Sequence, residues 1–173
     1  SKFSKNTFFQ ILNPSNVKES TIIYNGTKKI DEEPNIYTSN KPLKIITCSV
    51  DHPTKRLHYF FELEKILKRN KIEFEITIIT APINYKQRAL EKMKNFKNYK
   101  FNSSKIIIKE NLSKDEILSE LINSNLYISF SHIDPCPNSV IEAISVGLPI
   151  IAPTSGSMSE LCLSDLLYKK EIP

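Results

Sequence analysis

The run Ser131-His132-Ile133-Asp134-Pro135-Cys136-Pro137-Asn138-Ser139-Val140-Ile141-Glu142 holds two carboxylates, Asp134 and Glu142, with seven residues between them. Two prolines stiffen the loop. Ser139 to Glu142 has capping-box spacing, so a helix is expected to open here. Its first amide N–H groups then lack intrahelical partners and, with the positive end of the helix dipole, suit a phosphate or diphosphate. Carboxylates beside a phosphate site are natural acceptors for sugar hydroxyls. Each acid also has a local alternative. Glu142 can cap reciprocally with Ser139, and Asp134 can bond a nearby backbone amide.

A second place for chemistry is Asp51-His52-Pro53-Thr54-Lys55-Arg56. A Lys-Arg pair at the start of a helix opposes the dipole preference for acids there, which points to an anionic ligand. Lys55 is the better phosphate candidate, and Arg56 can instead pair with a carboxylate. Both can also be solvated cations. His52 has no partner within its motif for general-base work, and His132 stands closer to the proposed phosphate site. Three glycines in the whole chain rule out a glycine-rich phosphate cradle, and neither GxGxxG nor GxxxxGK[ST] occurs. There is no Asp-x-Asp to hold a divalent metal with a nucleotide. Cys48, Cys136 and Cys162 form no CxxC pair and no zinc-ligand spacing, and read as reduced thiols.

These groups need a scaffold that brings loops together, and the sequence supplies one. Apolar, β-branched runs at 43–50, 74–79, 105–108, 126–130 and 149–152 read as strands. Segments of helical period lie between them: Leu57 to Lys68, with Phe60, Phe61, Leu63, Ile66 and Leu67 on one face; Tyr85 to Phe96; Ser113 to Ile122; Ser139 to Val146; and Ser157 to Leu163. Ser113 to Glu116 and Ser157 to Glu160 repeat the capping-box spacing. Gly147 sits where a left-handed helix stop is wanted, before Pro149. One more short strand is expected within 166–173. This alternation calls for an α/β fold, a Rossmann-like parallel sheet with helices on both faces. Such sheets bind ligands beyond the carboxyl ends of their strands. Residues 1–42 break the rhythm. They hold an amphipathic stretch, Phe3 to Leu12, and a β-like run, Thr21 to Tyr24, ending in the turn signal Asn25-Gly26.

The chain has 173 residues, with 40% hydrophobic and 25% charged, an ordinary balance for one domain and not for a disordered chain. No apolar run approaches the ~20 residues of a membrane span. No signal peptide is visible, and because the chain starts at Ser a piece of something longer is expected. The net charge of +5 comes from scattered lysines. Scattered lysine usually means a solvated surface; a role with nucleic acid is a weak option, and attraction to anionic phosphates or an anionic membrane face is equally compatible.

The run from Asp134 through Glu142-Ala-Ile-Ser-Val-Gly-Leu-Pro-Ile-Ile-Ala-Pro-Thr-Ser-Gly-Ser-Met-Ser-Glu160 resembles the signature of group 1 (family-4) glycosyltransferases of the GT-B fold. That signature has two acids seven residues apart, then EA-x-x-x-G-x-P-(I/V)-(I/V)-A, then a Gly-containing turn before a Pro/Ser-Glu helix. Ile22-Ile23-Tyr24-Asn25-Gly26 is similar to the strand and turn opening the family's C-terminal domain. Ser1 to Lys5 is similar to the end of its N-terminal domain. Lys55 falls where the family has a lysine on the donor diphosphate. The sequence departs from the pattern at Asp134, where Glu is usual, at Val50, where an arginine is frequent, and at Gly156-Ser157 in place of Gly-Gly.

The resemblance implies the donor-binding half of a retaining glycosyltransferase that uses a UDP-, GDP- or ADP-linked sugar and no further cofactor or metal. Residues 1–42 would be the interdomain segment and connector, and 43–173 a truncated nucleotide-sugar-binding domain. Lys55, Arg56 and the amides of Asn138, Ser139 and Val140 would hold the diphosphate. Glu142 would take the ribose and Asp134 the transferred sugar. The nucleobase would lie near Ile108 and Lys109. A saccharide or lipid-linked acceptor, of the kind used in cell-envelope polysaccharide synthesis, would come through an absent N-terminal domain. The fragment would then bind nucleotide weakly and transfer nothing alone. A cytoplasmic place, peripheral at the inner membrane face, would follow. The alternatives are a degenerate, non-catalytic α/β nucleotide-binding module, or another GT-B enzyme such as a phosphorylase or epimerase.

Overall fold

The computed structural model describes residues 1–12, 20–27, 37–38, 40–50, 52–80, 105–162 and 167–168. Its elements are α1 (Lys2–Leu12), β1 (Leu43–Cys48), a 3₁₀ turn (Pro53–Lys55), α2 (Tyr59–Arg69), β2 (Phe74–Thr80), β3 (Ile106–Glu110), α3 (Lys114–Ile122), β4 (Leu126–Ile128), α4 (Asn138–Ser145), β5 (Ile150–Pro153), α5 (Met158–Leu161) and β6 (Leu167–Tyr168). The strands form one sheet in the order β3-β2-β1-β4-β5-β6. Every pairing is parallel, with Ile45 opposite both Ile76 and Leu126, and Tyr127 opposite Ile150. This is the expected Rossmann-like α/β fold. The expected helix 85–96 and Asp51 lie outside the described residues.

Strand alternation builds the two layers. Ile45, Ile76, Ile78 and Ile128 face α2 and pack with Phe60, Phe61 and Leu67. Their neighbours Ile46, Ile79 and Tyr127 turn to the other face, where Val140 and Ala143 of α4 and Val146 at its C-cap meet Leu121 and Met158. A strand covered on both faces needs no polar side, hence the near-continuous burial of β2. Ile66 is an exception to the face read for α2, being exposed.

The three capping-box spacings have different outcomes. Ser113 accepts from the Glu116 amide while Glu116 accepts from the Ser113 amide, a reciprocal pair at the start of α3. The other two do not cap. The N-cap of α4 is Pro137, which offers no side-chain acceptor, and that of α5 is Ser157, whose hydroxyl donates to the Asp134 carbonyl instead. Helix α4 ends in a Schellman arrangement. Gly147, at φ +72°, donates to Ile144, and Leu148 donates to Ala143.

Residues 21–24 form no strand. Ile23 is mostly exposed, and the polar groups here turn to side chains rather than to a sheet edge. The Tyr24 hydroxyl donates to Glu160 at 2.7 Å, and Asn25 donates to the Asn138 side chain at 2.6 Å. Glu160 also accepts from the amides of Lys2 and Phe3, both at 2.8 Å, so this residue of α5 caps the N-terminus of α1. Among the described residues, no helix is long and apolar enough to cross a membrane.

Candidate functional site

The strand order reverses direction between β1 and β4. The connections leaving these neighbours part there, and a crevice opens beyond their carboxyl ends. It is a cleft of about 630 Å³. Cys48, Ser49 and Val50 line it after β1, with Lys55 beyond them. Ile79 and Thr80 line it at the end of β2, and Asn111, Leu112 and Ile117 line it beyond β3. Asp134, the run 136–139 and Glu142 complete the wall. Five of the residues singled out from sequence, Lys55, Asp134, Asn138, Ser139 and Glu142, therefore share one cavity.

Lys55 ends the 3₁₀ turn and forms an ion pair with Asp134. The pair does not sit in the first turn of a helix. Helix α2 begins later, at Tyr59, so the dipole argument for Lys55-Arg56 does not apply. What holds the turn is local: His52 caps it through its ring Nδ1, Arg56 closes it at φ 49°, and the His132 amide donates to the Thr54 carbonyl at 2.7 Å. That last bond ties the loop after β1 to the loop after β4. Arg56, His52 and His132 do not line the cleft.

Asp134 is buried at 7% exposure. One oxygen takes Lys55, and the other accepts the Cys136 amide at 3.3 Å. Its backbone is clamped as well, because its carbonyl accepts from the Ser157 amide at 2.9 Å. Gly156 lies so close that a Cβ there would stand 2.3 Å from the Asp134 carbonyl oxygen. The residue before it, Ile133, has φ +55° and is half-exposed. A β-branched residue in that region stores strain.

The first turn of α4 presents its amides as the sequence implied, with one exception. Val140 donates to the Pro137 carbonyl at 3.1 Å, and its side chain is buried in the core. The amides of Asn138 and Ser139 have no acceptor among the described residues. Glu142 is free of the capping role, because the Ser139 hydroxyl bonds Tyr127 at 2.9 Å. Its carboxylate has no hydrogen-bond or ion-pair partner among the described residues. Its charge, second to burial, helps push the Cys48 thiol up to about 12.

Ile108 and Lys109 fall outside the cleft. Strand β3 runs on to Glu110, two residues past the expected end at 108, so the loop positions at its carboxyl end are Asn111 and Leu112. Ile108 packs on the α2 side, and Lys109 pairs with Glu120 at 2.6 Å. Sequence reasoning also missed Thr80. Its hydroxyl is buried in the cleft wall without a hydrogen-bond partner among the described residues. Its signal was its place as the last residue of an apolar strand. Among the described residues, no group of three or more His, Cys, Asp or Glu side chains could hold a metal ion.

The family model described as "Glycosyl transferases group 1" matches residues 29–164. No curated protein matches the sequence. Among solved structures, a mutant of S. aureus TarM in complex with fondaparinux, α-GlcNAc-glycerol and UDP is 18% identical, with a TM-score of 0.69 over 95% of this chain and 32% of its own. The lipopolysaccharide outer core galactosyltransferase WaaB is 16% identical, with a TM-score of 0.62 over 86% of this chain and 40% of its own. Starch synthase IV of Arabidopsis thaliana, bound to ADP and acarbose, is 18% identical, with a TM-score of 0.53 over 81% and 27%. The chain thus spans well under half the length of these structures. It belongs to the group 1 glycosyltransferases.

Proposed function

We propose that this glycosyltransferase chain is a donor-binding domain, holding a nucleotide-activated sugar in the cleft between β1 and β4 for transfer with retention of configuration. The observation that carries the reading is the convergence of unlike groups on one cavity. Lys55 and the unpaired amides of Asn138 and Ser139 offer positive charge, while Glu142 and Asp134 offer hydroxyl acceptors. The amides and the helix dipole would meet the charge that grows on a leaving diphosphate, from fixed positions that need no reorganisation. Glu142, with an uncommitted carboxylate, would accept the ribose hydroxyls. Asp134, clamped at its backbone, would orient the transferred sugar, and the same carboxylate would fix where the Lys55 ammonium sits.

The base would lie toward Asn111, Leu112 and Ile117. That S. aureus TarM and starch synthase IV were crystallised with UDP and ADP supports a nucleotide of this class. The acceptor, a saccharide or a lipid-linked sugar, would be bound by the remainder of a longer protein, and closure over the cleft would exclude water. This chain alone would then bind donor and transfer nothing. The test is thermal melting with UDP, GDP and ADP, for the natural sequence and for Glu142→Ala. A rise with one nucleotide, lost in the variant, is expected. An unchanged melting temperature with all three at millimolar concentration would refute the reading.

A further inference from the structure

We infer that Tyr127 is a positioning residue whose hydroxyl decides whether the Ser139 hydroxyl proton points back to the sheet or out into the cleft. The inference rests on the reading of the cleft as a diphosphate site.

Tyr127 lies in the middle of β4 at 1% exposure, with its ring in the core beneath α4. Its hydroxyl reaches the Thr47 side chain and three polar atoms of Cys48 and Ser139. The Cys48 amide donates to it at 3.3 Å, the Cys48 carbonyl lies at 3.2 Å, and the Ser139 Oγ lies at 2.9 Å. Cys48 ends β1 and Ser139 is the second residue of α4, so one phenol bridges the two edges of the switch point. Burial raises its pKa above the ordinary phenol value, so it keeps its proton through the neutral range.

A hydroxyl carries one proton and two lone pairs. The Cys48 amide uses a lone pair, and the single proton can go to the Cys48 carbonyl or to Ser139, with the Thr47 side chain as a further partner. In one arrangement Ser139 donates to Tyr127 and Tyr127 donates to the Cys48 carbonyl. Both hydroxyls and both Cys48 backbone groups then have partners without a ligand. In the other, Tyr127 donates to Ser139 Oγ, and the serine proton is released toward the cleft that Ser139 lines beside Asn138 and Glu142. An anionic phosphate oxygen would take that proton in a charge-assisted bond, and this differential contact selects the second arrangement. Tyr127 thereby turns a core hydrogen bond into a donor for the ligand without moving a heavy atom.

The experiment is calorimetric titration of the full chain with UDP, GDP and ADP and with the matching nucleosides. It compares the natural sequence with Tyr127→Phe, Ser139→Ala and the double variant. Each single variant is expected to weaken the preferred diphosphate about 5–10-fold, the double variant no more than the worse single, and the nucleoside not at all. Additive losses would overturn the inference, as would an unchanged Tyr127→Phe or an equal loss for nucleoside and diphosphate. If Tyr127→Phe fails to fold, Ser139→Thr decides against Ser139→Ala: recovery with Thr supports the relay, and equal affinities overturn it. A natural sequence that binds none of the three diphosphates refutes the underlying site. One that binds normally beside an unaltered Tyr127→Phe refutes only the relay.

Discussion

Adding one methyl group at Gly156 should displace Asp134. The glycine has φ +72°, a region that costs an L-residue about 1–2 kcal/mol. The added Cβ would stand 2.3 Å from the Asp134 carbonyl oxygen, 2.6 Å from its nitrogen and 3.0 Å from its carbonyl carbon, all backbone atoms. Ordinary contact begins at 3.4 Å, so the peptide must retreat by about 1 Å. That movement strains the bonds from the Ser157 amide and hydroxyl to the same carbonyl, each worth about 1 kcal/mol. Gly156→Ala should therefore lose about 3 kcal/mol, which for a chain of this length lowers Tm by about 6–12 °C. Because Asp134 holds Lys55, a shift of about 1 Å should also cut transfer by the intact enzyme, up to about 100-fold. The assay is thermal melting beside Gly26→Ala, where an added Cβ meets nothing within 4 Å and Tm should stay within about 2 °C. A Gly156→Ala protein that melts with the natural sequence would refute the close-packing argument.

Thr80→Val removes a buried hydroxyl that lacks a partner, so it should raise stability by about 1 kcal/mol while weakening nucleotide binding. Melting and titration on one sample check both signs, and a loss of stability would show that the hydroxyl is bonded. Ile133→Asn places a residue that tolerates φ +55° at a half-exposed position and should raise Tm by a few degrees; a fall would mean the isoleucine is not strained. Glu160 is half-buried, and that burial nudges its pKa up. The bonds from the Phe3 amide, the Tyr24 hydroxyl and the Lys2 amide outweigh that and hold it below the usual carboxylate value. A lowered folded value means that the docking of α1 is present above the unfolded value, about 4.3, and is lost as pH falls through the folded one. Protection of the α1 amides against hydrogen exchange, taken relative to the intrinsic rate at each pH, should fall on acidification there and should be low at all pH values in Glu160→Ala.

How far the sequence could be read depended on whether a residue's partner lay nearby in the chain. Strand positions within the apolar runs were legible to a residue or two, because burial on both faces of β1 and β2 leaves a continuous hydrophobic signal. The edge strand β3 is only half-buried, and its charged end, Lys109 and Glu110, reads as loop although it stays paired to Ile79 and Thr80. The capping boxes show the same limit. Ser113 has no competing neighbour and caps, whereas Ser139 and Ser157 are taken by Tyr127 and Asp134, which are 12 and 23 positions away in sequence. The carboxylates and amides of the site were readable from spacing because one loop and one helix carry most of them. Thr80, Tyr127 and the contacts of Glu160 were not, since each acts only through residues that the sheet or the α1 docking brings near.

The most direct test of the central claim is to map nucleotide binding on the amide chemical shifts of the chain. With UDP, GDP or ADP, the account predicts that the largest shifts fall on Ser49, Val50, Lys55, Asn138 and Ser139, and that Glu142→Ala removes them. Shifts confined to another surface, or none at millimolar nucleotide, would contradict it.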